Sequence, residues 1–148
     1  MSYETLDAIA DAYIPFLLIL FMLGLVIKIY QFWPNFRAPV FFFLYLMSLL
    51  LVSYSLMFLD KAVGLWPALG LDYSTHTAVA LSLVVALCKI FPHRWKWFAG
   101  SMVLYGCLML YQQYHSLLDI ISTSAIIAVI AFLLHRMIEV PKYIKNLK

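Results

Sequence analysis

Asp72-Tyr73-Ser74-Thr75-His76-Thr77 runs directly into a segment from Ala78 to Phe91 whose polar residues are Ser82 and Lys89. A second stretch of the same kind, Tyr114-His115-Ser116-Leu117-Leu118-Asp119, opens another apolar segment that continues to Met137. Each places a histidine and a carboxylate at the mouth of a hydrophobic run. Ionisable groups beside hydrocarbon are costly, so they are functional candidates by default. The chain reads as an apparatus for bringing these two clusters together.

The composition around them is that of a membrane protein. Of 148 residues, 66% are hydrophobic and 11% charged, against roughly 45–50% and about 25% in a soluble domain. Working outward, the apolar stretches predict an all-α bundle of five spans in one transmembrane domain covering residues 1–148. The spans are about 13–32, 38–59, 74–91, 97–112 and 116–137, near the roughly 20 residues that cross about 30 Å of hydrocarbon. Pro15 then falls in the first turn of its span, where proline does least harm. Trp33-Pro34-Asn35-Phe36-Arg37 and Pro92-His93-Arg94-Trp95-Lys96-Trp97 read as tight turns with aromatic interface anchors. Residues 1–12, with Glu4, Asp7 and Asp11, read as an acidic interfacial lead-in rather than a cleavable signal.

Charge sets the orientation. On a five-span topology Lys28, Arg37, Lys89, Arg94, Lys96, Arg136, Lys142, Lys145 and Lys148 share one side, and Lys61 is alone on the other. Basic residues in short loops favour the cytoplasm, which puts the N-terminus outside, the C-terminus inside and both polar clusters on the extracytoplasmic face. The asymmetry accounts for the net charge of +3 without an anionic partner, and no basic patch suggests nucleic acid. Cys88 and Cys107 both lie in apolar runs and form no CxxC, so they read as small buried residues. His93 and His135 read as inner-interface residues, Tyr73, Tyr111 and Tyr114 as belt aromatics or, alternatively, lining of a lipid entrance, and Asp72 as a helix-dipole partner in preference to a site residue.

On this topology His76 and His115 begin spans three and five at the same interface. Asp119 follows His115 by one helical turn, on the same face, where its carboxylate would accept an imidazole N–H and fix the tautomer. Both spans point their N-termini outward, where free N–H groups and the helix dipole favour an anion. Two histidines beside such ends suggest phosphoryl chemistry, one attacking phosphorus and the other protonating the leaving oxygen.

Ser74-Thr75-His76-Thr77 and His115-x-x-x-Asp119 resemble the second and third signature motifs of the phosphatidic acid phosphatase type 2 (lipid phosphate phosphatase) superfamily. The order of the two motifs, with a helical hairpin between them, is similar too. The resemblance implies His115 as a nucleophile forming a phosphohistidine, Asp119 as its partner and His76 as the acid. It implies phosphate contacts from Ser74, Thr75 and neighbouring amides, with Lys61 the positional match to the first motif's lysine. Thr75 stands where the pattern has glycine, Met109 where it has an arginine, and Ala68-Leu69 where it has Arg-Pro. The implied function is a metal- and cofactor-independent lipid phosphatase of the plasma (inner) membrane, acting on a lipid phosphate or pyrophosphate at the outer leaflet. Headgroup transfer to an alcohol shares the same residues. A metal site on His76, His115 and Asp119, or lipid binding without turnover, are the readings from other classes.

Overall fold

The computed structural model describes residues 3–137. Five α-helices follow one another: α1 (Tyr3–Phe32), α2 (Arg37–Val63), α3 (Thr75–Ile90), α4 (Trp95–Tyr111) and α5 (Leu117–Met137). Short 3-10 turns, Pro67–Leu69 and Pro92–Arg94, interrupt the connections before α3 and α4. Among the described residues there is no strand. Three helical stretches, Glu4–Phe32, Arg37–Val63 and Leu117–Met137, are long and apolar enough to cross a membrane, and Thr75–Ile90 is a shorter apolar helix. The basic tail anticipated at Lys142, Lys145 and Lys148 lies outside the described residues.

α3 is the axis of the bundle and packs against all four other helices. Its Ala78, Ala80, Leu83, Ala86, Leu87 and Ile90 are buried, as are Thr77 and Ser82. Small residues let the neighbouring backbones approach, and the hydroxyls bond inward: Ser82 donates to the Ala78 carbonyl and pairs with Ser53 of α2 at 3.1 Å. At about 1.5 Å per residue, the 16 residues of α3 span about 24 Å, much less than α1 or α2. The central helix is therefore shorter than α1, α2 and α5 and about as long as α4.

The outer helices invert the soluble-protein pattern. On α1, Leu17 and Phe21 are buried, while Phe16, Ile19, Leu23 and Ile27 stand exposed on the opposite side. An apolar face that large is expected where the solvent is lipid. Gly24 brings α1 close to the end of α3: a Cβ there would lie 2.8 Å from the Phe91 ring. Across the bundle, the buried Tyr45 of α2 donates its hydroxyl to the Ala131 carbonyl of α5 at 3.0 Å.

Of the five anticipated spans, three coincide with helices long and apolar enough to cross a membrane; the helix bounds lie within a few residues of the anticipated stretches except at the start. α1 begins at Tyr3 rather than Tyr13, so the acidic lead-in is helix and Pro15 is interior. Glu4 in the first turn suits the positive end of the dipole. Proline lacks the N–H that the carbonyl of Asp11 would otherwise receive in an unbroken helix.

Candidate functional site

The two polar clusters meet at the N-terminal end of α3, and hydrogen bonds between elements fix them there. Ser74 caps α3: its hydroxyl accepts from the Thr77 N–H at 3.2 Å and pairs with the Thr77 hydroxyl at 2.8 Å. Its own N–H donates to Thr123 Oγ1 on α5 at 3.2 Å. Ahead of it, Tyr73 is wedged edge-on against Trp66 and donates its hydroxyl to the Ser53 carbonyl at 2.8 Å. Burial, and then the negative charge of Asp60, push the Tyr73 phenol up to about 12. Trp66 is itself held by Asp60, which accepts its backbone N–H, and by Ser122, which accepts its indole N–H.

Asp119 is the knot of this network. One carboxylate oxygen accepts the Asp72 N–H and the other the Ser116 N–H, both at 2.8 Å, while the Asp119 N–H donates to Ser116 Oγ at 3.2 Å. Ser116 and Asp119 thus form a reciprocal capping box at the start of α5. The carboxylate sits where an anion is favoured, so this helix end already holds one of the chain's own. Among the described residues it is Asp72 that stands at ion-pair distance from His115, Oδ2 to Nδ1 3.6 Å. His115 Nδ1 is buried and makes no hydrogen bond among the described residues.

The α4–α5 connection aims His115. Gln113 adopts φ 58°, Tyr114 N–H reaches back to the Met109 carbonyl at 3.1 Å and Gln113 N–H to Leu110 at 3.1 Å. This is a Schellman closure with glutamine in the left-handed position that glycine favours. It turns the chain sharply enough to lay Tyr114 and His115 over the end of α3.

There a cavity of about 240 Å³ opens. Ala10 and Asp11 of α1, His76 of α3, Tyr105 and Met109 of α4, and Tyr114 and His115 of the connection line it. The structure therefore brings His76 and His115 to one chamber, as the sequence anticipated. His76 is exposed and His115 largely covered. The anticipated phosphate contacts are not in its lining. Ser74 is fully buried with its hydroxyl engaged in the cap, Thr75 is partly buried beside it, and Lys61 is exposed in the last turn of α2. Among the described residues, neither lysine nor arginine lines the chamber. Among the described residues no set of three His, Cys, Asp or Glu is grouped to hold a metal ion.

Asp11 and Tyr105 are the lining residues that reading the sequence missed. The available signal was the spacing Asp7-x-x-x-Asp11, which puts two carboxylates on one face of a helix. A second hollow of about 220 Å³ lies against the first, between α1 and α4, lined by Ile9, Tyr13, Ser101, Leu104, Tyr105 and Leu108. Tyr105 is common to both hollows. It stacks on Tyr13 at 4.3 Å, and the Tyr13 hydroxyl pairs with Ser101 at 2.9 Å.

Fold and site together define a helical bundle of membrane type with a histidine-lined chamber at one end. No known family model, curated protein or solved structure matches the chain.

Proposed function

We propose that the protein is a five-span integral membrane phosphoryl-transfer enzyme that cleaves a lipid phosphate through a phosphohistidine. The observation that carries this reading is that His76 and His115, far apart in sequence, line one cavity at the end of α3. With Nδ1 of His115 turned toward Asp72, Nε2 is the nitrogen left for attack on phosphorus. The P–O bond to the lipid alcohol breaks as the N–P bond forms, and His76 delivers a proton to the departing oxygen. Water then attacks phosphorus, His76 takes its proton, and His115 is released with free phosphate. Asp119 serves by holding the start of α5 and the loop before α3 in register, and Ser74 by capping α3 beneath His76. The charge asymmetry of the sequence supports an extracytoplasmic site at the outer leaflet of the plasma (inner) membrane.

Transfer to an alcohol in place of water is the second reading. It is favoured by a lining that, among the described residues, holds no lysine or arginine, because a phosphodiester monoanion needs less counter-charge than a phosphomonoester dianion. The test is phosphate release from lipid phosphates by the purified protein in chelator, with and without acceptor alcohols. Turnover is expected to be blocked by vanadate and abolished in His115→Ala, and full activity of that variant would end the reading.

A further inference from the structure

We propose that the chamber takes a lipid phosphate that carries its own ammonium group, with Asp11 as the counter-charge and the α1–α4 hollow as the seat of the lipid chain. This rests on reading the chamber as a lipid-phosphate site, and it names the substrate class.

The charges of the lining lead to it. Beside the two histidines, Asp11 is the carboxylate in the lining, and among the described residues no Lys or Arg is there to offset it. A ligand bearing phosphate alone would bring like charge toward Asp11. A ligand bearing phosphate and ammonium places its anion by the histidines and its cation by the carboxylate. The surroundings of Asp11 also ask for positive charge or donors. Asp7, one turn away on the same face of α1, has a buried carboxylate oxygen without a hydrogen-bond partner among the described residues. Pro15 withholds the N–H that would normally satisfy the Asp11 carbonyl. The walls contributed by Tyr105 and Tyr114 are aromatic, and the faces of such rings attract ammonium groups.

Continuity supplies the rest. The apolar hollow shares Tyr105 with the polar chamber and lies between α1 and α4. Polar chamber and apolar hollow side by side fit the two ends of an amphiphile. The ammonium can sit in the headgroup or on the lipid backbone, and the recognition is the same chemistry in either case.

Binding separates these sources without requiring turnover. The full chain, as wild type and as His115→Ala, would be titrated in detergent by native mass spectrometry with three chain-matched lipids. These are phosphatidylethanolamine, a long-chain amino-alcohol phosphate, and phosphatidic acid. Tighter binding of one or both amine-bearing lipids over phosphatidic acid, by about tenfold, is expected, and which one wins locates the amine. Asp11→Asn should erase the preference and Asp11→Glu should retain it. Leu104→Trp, which fills the hollow, should weaken all three lipids together. Equal binding of the three, or a preference that survives Asp11→Asn in protein of unchanged helicity, overturns the proposal. Selective binding without phosphate release in the wild type would count against the hydrolytic reading and leave this one standing.

Discussion

The aspartate assigned to the histidine by its spacing is occupied elsewhere. In His115-x-x-x-Asp119 the carboxylate spends both oxygens on backbone N–H groups, and Asp72 faces the imidazole instead. The two acids should therefore separate by readout. Asp119→Ala strands two N–H groups and is expected to destabilise the fold by about 2–4 kcal/mol, seen as a lower midpoint of thermal unfolding in detergent. Asp72→Asn should leave that midpoint in place and lower turnover, because it removes the carboxylate that faces His115 Nδ1. His76 can be examined through the leaving group. His76→Ala should slow cleavage of a lipid phosphate by about 10²–10⁴-fold but spare a nitrophenyl ester, whose leaving oxygen needs no proton. Tyr73 makes an alkaline prediction. A phenol of ordinary value 10.0 raised to about 12 is neutral in the fold at pH values where it ionises in the unfolded chain. Its contribution to stability is complete below pH 10 and is lost as the pH rises toward 12. Tyr73→Phe should flatten the stability profile across that window.

At the scale of elements, the site lies where the N-terminal end of α3 meets α1, α4 and the α4–α5 connection. The bundle packs around α3, and at that end residues of these elements enclose a space with His76. Two backbone features hold that arrangement. Gln113 at φ 58° occupies a left-handed position that costs a side-chain-bearing residue roughly 1 kcal/mol or more. Gln113→Gly should relieve it and raise the unfolding midpoint slightly, since added freedom in the unfolded chain offsets part of the gain. At the opposite end, Gly24 lets α1 rest on Phe91. Gly24→Leu would force a side chain into space the ring already fills, with an expected loss of about 1–3 kcal/mol. The helices themselves were legible in the sequence because apolar runs, prolines and tryptophans punctuate it. The start of α1 was not, because an acidic segment and an early proline argue for a boundary that packing overrides.

For the whole molecule, the alternation of turns rich and poor in lysine and arginine makes a topological prediction. In protein lacking Cys88 and Cys107, a single cysteine placed at Leu69 should react with an impermeant thiol reagent in intact cells, and one placed at His93 only after the cells are permeabilised. Labelling of both from one side would contradict the five-span orientation. The sequence by itself determined the class of molecule, since 66% hydrophobic residues in helix-length runs leave few structures other than a helical bundle in lipid. The order of the motifs and the apolar runs between them also anticipated that His76 and His115 meet, and the two line one cavity. Which side chains complete the chamber was decided only in three dimensions. Asp11 and Tyr105 enter through the packing of α1 against α3 and α4, between segments widely separated in the chain, and no local pattern encodes that contact. Asp119 was likewise a matter of tertiary competition: a helix spacing shows what a carboxylate can reach, and the surrounding backbone N–H groups decide what it holds.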